Sequence, residues 1–579
     1  CFQIEPQLLE PFEELCRREG ATLQMGLLAV VALLLHRTSR QDEVAIGVPF
    51  WGRNHPELEN LIGIFINTLP IRTRFQANQT FRDLLRQVKE ASIAAYDHQE
   101  LPFEQMVEAL NVERDTSRNP LVQVMLQLME LPEAGLEQLD GLAVQSLSSG
   151  SDSAKLDLSF YLFRSADQGL SASITYAMDL FDGDRIERLS THLINLLSSV
   201  LKAPDQPAAT LNLLPEPERQ LIESWQQGPV VEVPELCVHE LFEQQVERTP
   251  EAIALVFGDQ EITYSELNAR ANQLAHHLRD LGVSAEVIVG VCLERSVELI
   301  VALLAILKAG GTFLPLDPSW PQERIKAILE QAGDPLLIAL SANQDPRSAQ
   351  QRCIPLSDRA HNTSNTHRLP HSSVQLDQPA YLLFTSGSTG QPKGVLVGHR
   401  ALTERCKALT NQLAVGIGDR ILALTSPIFD ISFLELLIPL TQGASIAITP
   451  AAIAKDLSAI SRHCESAQIT LLQATPFALE ALIHTGYKPT PGITILAGGE
   501  VLNQKLADQL TSSGATLING YGPSEATIYT SLAHINQHAH VSIGTPFPGT
   551  TVRVLDPSGH PCPIGIPGEL HIGGAGLAR

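Results

Sequence analysis

The sequence predicts a multidomain chain of mixed α/β class. Its 579 residues exceed what one hydrophobic core organises, and length alone suggests roughly three or four domains. Between Val287 and Asp317 a strand, a helix and a second strand follow one another closely, which is a βαβ unit and so a parallel sheet covered by helices. Ahead of it, a Pro-rich polar stretch separates this region from an earlier run of helix and strand patterns.

In chain order, Gln7–Arg37 carries apolar positions at helical spacing, and "EVAIGVPF" (Glu43–Phe50) follows as a strand. The longest apolar run, "MGLLAVVALLL" (Met25–Leu35), is too short to span a bilayer and reads as a buried helix. "LSASITYAMDLFDGDRIERLSTHLINLL" (Leu170–Leu197) predicts strand, turn and amphipathic helix. "KAPDQPAATLNLLPEPERQ" (Lys202–Gln220) and "GPVVEVPE" from Gly228 form the expected linker. "YSELNARANQLAHHLRDLG" (Tyr264–Gly282) then places Leu267, Ala271, Leu274, Leu278 and Leu281 on one helical face, with Gly282 as the stop. "VIVGVCL" (Val287–Leu293) and "TFLPLD" (Thr312–Asp317) are strands flanking a helix capped by Ser296. "QITLLQAT", "GITILAGGE" and "ATLING" repeat the strand theme later.

Composition narrows the function classes. The formal net charge of −24 argues against nucleic-acid or anionic-membrane partners, which require basic surface. The 8 cysteines are scattered with no CxxC pair, which supports neither a zinc ribbon nor a disulfide framework and suits a reducing cytoplasm. The chain begins on Cys1 without a signal segment and ends on "GELHIGGAGLAR", so it is expected to be an internal piece of something larger.

Three short stretches carry chemistry. "LLFTSGSTGQPKG" (Leu382–Gly394) combines glycines, hydroxyls and one lysine, which suits phosphate oxygens, although its spacing is not G-x-x-x-x-G-K-[S/T]. "NGYGPSEAT" (Asn519–Thr527) offers an amide, an aromatic face, a hydroxyl and a carboxylate in succession. "SPIFDISFLELLIPL" sets Asp430 in an apolar run, where a carboxylate requires a cationic partner, either a basic side chain or a substrate ammonium. By contrast "HHLRDLG" (His276–Gly282) only approximates HHxxxDG: the Asp comes one residue early and both histidines lie on the amphipathic helix.

"ITYSELN", "LKAGGTFLPLDP", "YLLFTSGSTGQPKG", "FDIS", "NGYGPSEAT" and "GELHIGGAGLAR" occur in that order and resemble the first six core motifs of nonribosomal peptide synthetase adenylation domains. Earlier, "IGIFINTLPIR", "HQELPFE" and "RDTSRNPL" resemble the last three core motifs of the condensation domain, and "KLDLSF" and "YAMDLFD" fit its closing half. The resemblance implies a chloramphenicol-acetyltransferase-like condensation half over 1–203, a linker over 204–236, and an adenylate-forming N-terminal core over 237–579.

It also implies a chemistry. Thr385, Ser386, Gly387, Ser388, Thr389, Gly390 and Lys393 would hold the β- and γ-phosphates of ATP while an amino-acid carboxylate attacks the α-phosphate. Asn519 would read the adenine, Tyr521 stack on it, Gly498 and Gly499 border it, Ser524 lie near the α-phosphate, and Glu525 bind Mg2+. Lys393 and Glu525 are the residues assigned to catalysis. Asp430 would pair with the substrate ammonium, and Ile431, Leu434, Gln473, Ile495, Ala497, Gly520, Ile528 and Tyr529 would line the side-chain pocket. Asp430, Ile431, Leu434 and Gln473 resemble a glycine-type pocket that Tyr529 could fill, whereas Ala497 and Gly520 leave room as in pockets for larger side chains. The lean is to a small neutral amino acid.

The expected partners are carrier domains on either side bearing phosphopantetheine, a group this chain does not itself carry. The family's ribose-binding Asp motif, its lid with a catalytic Lys, and the front condensation half with HHxxxDG have no match here, so impaired adenylation and condensation are expected. An acyl-CoA ligase-like enzyme and a non-catalytic interaction segment are the alternatives.

Overall fold

The computed structural model describes residues 1–53, 56–58, 61–111, 115, 118–130, 153–165, 169–230, 234–341, 353–356, 374–386 and 392–579. They divide into two compact units, one of residues 1–223 with 554–570, the other of 224–553 with 571–579.

The first unit is built on a mixed six-stranded sheet in the spatial order Phe2–Ile4, Gly169–Tyr176, Leu158–Ser165, Val124–Glu130, Glu43–Phe50, Asn67–Arg74. The middle pairings, Leu158–Ser165 with Val124–Glu130 and Val124–Glu130 with Glu43–Phe50, are parallel. The long apolar run is a buried helix, Leu23–Ser39, whose face is buried all round from Met25 to Leu35. Thr22 caps it, its hydroxyl accepting the Met25 N–H at 3.3 Å. The helical spacing over Gln7–Arg37 does not make one helix. Pro6–Arg18 and Leu23–Ser39 meet at 104°, because Gly20 takes φ +67 and ends the first. Among the described residues no single helix is long and apolar enough to cross a membrane.

Strand Gly169–Tyr176 and helix Gly183–Lys202 follow as the spacing predicts. The Pro-rich stretch after them is packed. The Ala208 N–H donates to the Gln79 carbonyl at 2.7 Å, Leu211, Leu213 and Leu214 are buried, and Glu216–Gln226 is helical. Prolines and polar residues mark a turn-rich path, and the three leucines pin that path to the core.

The second unit holds two sheets. One has six strands in the order Cys353–Pro355, Leu336–Ala339, Ile288–Cys292, Thr312–Leu316, Pro379–Ser386, Pro392–Gly398, parallel except for the last pair. The βαβ unit lies here, with Thr312 opposite Ile288 in parallel register. Its helix, Val297–Ala309, starts where the Ser296 hydroxyl accepts the Leu299 N–H at 3.2 Å and stops at Gly310, φ +88. The other sheet has nine strands in the order Thr545–Pro546, Ser531–Ile535, Thr516–Tyr521, Thr494–Gly498, Leu471–Ala474, Arg420–Ala423, Ser445–Ile448, Ile253–Phe257, Gln260–Thr263. Its central pairings are parallel. Leu471–Ala474, Thr494–Gly498 and Thr516–Tyr521 therefore end on one side, the side where open parallel sheets bind ligands.

Candidate active site

The hairpin that frames the phosphate-type loop is formed by Pro379–Ser386 and Pro392–Gly398, with Thr385 opposite Lys393 and Ser386 opposite Pro392. The Thr385 hydroxyl donates to the Lys393 carbonyl at 3.4 Å, and the Lys393 side chain is exposed at the hairpin mouth. Gly387, Ser388, Thr389 and Gly390 lie outside the described residues, as do Arg114, Thr116 and Ser117 of the earlier "RDTSRNPL".

Strand Thr516–Tyr521 delivers the next group. The buried Asn519 amide donates from Nδ2 to the Ser542 carbonyl at 2.7 Å, which fixes its orientation. Tyr521 is partly exposed, and its carbonyl accepts the Thr530 N–H at 2.7 Å. Gly522 lies so close to the returning chain that a Cβ would stand 2.6 Å from the Ile528 carbonyl oxygen. Ser524–Ala526 forms a single tight turn that leaves the Glu525 carboxylate exposed. Thr527 and Ile528 then adopt left-handed backbone, φ +61 and +63, unusual for β-branched residues. A hydrogen bond from the buried Thr527 hydroxyl to the Gly576 carbonyl, 2.8 Å, holds that conformation.

The turn carries Tyr529 into the sheet. Its hydroxyl donates to Gln473 Oε1 at 2.9 Å, and both side chains are buried. Gly498 and Gly520, opposite one another in parallel register, make room for the ring. A Cβ on Gly498 would lie 2.2 Å from the Tyr529 hydroxyl, and one on Gly520 2.9 Å from the ring. Gly499, φ +85, sits 3.3 Å from Ile431 Cδ1, measured from where its Cβ would be. The structure thus brings together Gln473, Gly498, Gly520, Ile528 and Tyr529. Ile495 and Ala497 alternate to the other face of their strand and pack with Leu472 and Leu517, while Leu434 is buried in the main core.

Asp430 precedes helix Ile431–Gln442 and is 7% exposed. Among the described residues its Oδ2 has no hydrogen-bond partner and its carboxylate forms no ion pair. Burial holds its carboxyl above the usual range, opposed by the Ser524 hydroxyl and by the backbone N–H groups of Ile431 and Ile528. The same carboxylate adds to the burial that raises the Tyr381 and Tyr529 hydroxyls, so these two rings flank it. Of the two cations that the sequence allowed for Asp430, the basic side chain is not supplied by the described residues.

Glu435, which the sequence did not single out, organises the approach to Asp430. From the helix it reaches back to accept the N–H groups of Leu424 and Thr425 at 2.9 Å each and the Thr425 hydroxyl at 2.5 Å. This ties down the segment that leads into Asp430. Burial pushes the Glu435 carboxyl up to about 8. Tyr381, stacked on Phe433 at 4.3 Å between centroids, was likewise not foreseen.

Residues 242–579, more than half the chain, match the family model for the AMP-binding enzyme. The chain belongs to that family. Ahead of this adenylation domain, residues 1–223 match the condensation-domain model, and the two in that order are the pairing found in nonribosomal peptide synthetases. The chain is 38% identical over its full length to a linear gramicidin synthase of Brevibacillus parabrevis, 11% of which it covers. It is 35% identical to tyrocidine synthase 2 of the same organism and 34% identical to bacitracin synthase 1 of Bacillus licheniformis, covering 16% and 11% of them. It thus spans a small part of the length of these relatives. A holo four-domain nonribosomal peptide synthetase structure, bound to AMP and glycine, matches the whole chain with TM-score 0.89 at 28% identity, 44% of that structure being covered. The adenylation domain also resembles the N-terminal subdomain of Klebsiella oxytoca NpsA, at 31% identity over 60% of this chain and 89% of that one, TM-score 0.54.

Proposed function

We propose that the adenylation domain activates an α-amino acid with ATP. The observation that carries this reading is the Asp430 carboxylate, buried between Tyr381 and Tyr529 with one oxygen uncommitted among the described residues. An ammonium is the group whose charge and three donors complete it. Held there, the amino acid presents its own carboxylate oxygen to the α-phosphorus of ATP. A new P–O bond forms, the bond from the α-phosphorus to the bridging oxygen breaks, and pyrophosphate leaves with the electron pair.

Thr385, Ser386, Gly387, Ser388, Thr389, Gly390 and Lys393 are proposed to hold the departing phosphates, with Lys393 as the point charge. Asn519, its Nδ2 committed to Ser542, keeps Oδ1 to accept from the adenine amino group, and Tyr521 offers the stacking face. Gly498 and Gly499 let the backbone approach the ring, and the Ser524 hydroxyl donates to the α-phosphate. The exposed Glu525 carboxylate is a hard oxygen donor of the kind Mg2+ takes, and the ion would neutralise charge on the phosphates. Tyr529, held by Gln473 beneath Gly498 and Gly520, fills the volume a long side chain would need, which favours a small neutral amino acid.

The aminoacyl adenylate would then load a phosphopantetheine thiol on a carrier domain of the same synthetase, with the condensation domain joining such units by peptide bonds. The cytoplasm is the proposed compartment, in keeping with eight free thiols. Amino-acid-dependent ATP–pyrophosphate exchange tests the reading. Exchange driven by one or two small neutral amino acids is the expected result. Exchange driven only by a carboxylic acid without an amino group would overturn it in favour of an acyl-CoA ligase-like activity.

A further inference from the structure

The second unit contains a cluster that the adenylation reading leaves unused. Cys237, His239 and His399 are all buried, and their sulfur and ring-nitrogen atoms lie within 4.8 Å of one another. Two helices bring them together. Cys237 caps helix Val238–Arg248, where its N–H donates to Glu240 Oε2 at 2.8 Å, and His239 lies in the first turn. His399 opens helix His399–Leu413, directly after the strand that carries Lys393. The two imidazoles meet edge to face, 5.6 Å between centroids and 72° between planes.

A second observation points to a missing ligand. His399 is 0% exposed, and neither of its ring nitrogens has a hydrogen-bond partner among the described residues. A polar ring buried in that state is costly, and native structures normally satisfy such a group with a partner, a water or an ion. We propose that Cys237, His239 and His399 bind a soft or borderline divalent cation of the Zn2+ class, which fastens the start of the adenylation domain to the strand–helix junction behind Lys393.

The chemistry fits. One thiolate and two imidazoles suit Zn2+ and do not suit Mg2+, so this site is distinct in kind from Glu525. Zinc bonds of about 2.0–2.3 Å place ligand atoms roughly 3–4 Å apart, within reach of these side chains by rotation. Burial lowers the His399 pKa to about 4, so the ring is neutral and ready to ligate. The Cys237 thiol is pushed up to about 12 by burial and keeps its proton in the absence of a metal. Coordination displaces that proton to solvent, where the helix N-terminus and the cation together stabilise the thiolate.

The test is metal content and cobalt spectroscopy on the full chain. Protein produced with zinc and passed over a weak chelator is expected to keep about one equivalent of zinc per chain, and Cys237→Ser less than about a tenth of that. Co2+ exchanged into the wild type should give a thiolate-to-cobalt charge-transfer band and the intense visible bands of a tetrahedral site. Both should vanish in Cys237→Ser and in His399→Gln. Wild type with no retained metal and no such band, or a Cys237→Ser protein that keeps both, would overturn the proposal. The wild-type measurements decide the matter even where a variant fails to fold.

Discussion

Glu435→Gln separates the two jobs of a buried carboxyl at this site, charge and hydrogen bonding. Oε2 accepts two backbone N–H groups at 2.9 Å, and Oε1 meets the Thr425 hydroxyl at 2.5 Å. The neutral acid satisfies the same geometry with its own O–H donating to Thr425, and so does an amide, its carbonyl on the two N–H groups and its NH2 on Thr425. The carboxyl titrates at about 8 in the fold against 4.5 ordinarily. Between those values the native chain holds a proton that the unfolded chain has released, so stability falls as pH rises through the window. At about 1.4 kcal/mol per unit, wild type loses about 4 kcal/mol between about pH 5 and about pH 8 on this account, and Glu435→Gln does not. Urea unfolding of both proteins across that range measures the difference. The variant should match wild type at the acid end and exceed it progressively toward the alkaline end. Parallel curves would refute the reasoning, because they would mean that Glu435 is charged, or equally solvated, in both states.

Other perturbations follow from the same geometry. Tyr529→Phe leaves Gln473 Oε1 buried without its donor and is expected to cost about 1–3 kcal/mol in chemical denaturation. Lys308 is buried against Glu243 and donates to Asn268 Oδ1 at 2.9 Å, so Lys308→Met should destabilise the second unit by about 3–5 kcal/mol. Adding Glu243→Leu should recover most of that loss, because the stranded charge is then gone.

Local signals made part of this molecule legible in advance. The βαβ unit was readable because Ser296, the all-apolar helix and Gly310 agree with one another within a short span. Asp430 was readable because a carboxylate in an apolar run is a contradiction that only a partner resolves. The 104° break after Arg18 was not, since the apolar spacing continues across Gly20. Nor was the packing of the Pro-rich stretch, where Leu211, Leu213 and Leu214 outweigh the turn-forming composition. The Tyr529–Gln473 bond spans 56 residues, and the Cys237, His239 and His399 cluster joins two distant helices. Both depend on which strands and helices become neighbours, which no short-range pattern states. Glu435 escaped notice for a related reason: its partners are carried by the chain that arrives before its helix, not by the helix itself.

The central claim is that one site takes a nucleotide and an amino-acid ammonium together. Calorimetric titration with non-hydrolysable aminoacyl-adenylate analogues, alongside the matching analogue lacking the amino group, tests it most directly. A charge pair at about 4 Å with an effective dielectric near 20 is worth about 4 kcal/mol, so Asp430→Asn should weaken the amino-bearing analogue by about a thousandfold. It should leave the amino-free analogue and AMP nearly unchanged. Equal affinity of wild type for the two analogues, or equal loss of both in Asp430→Asn, would contradict the account.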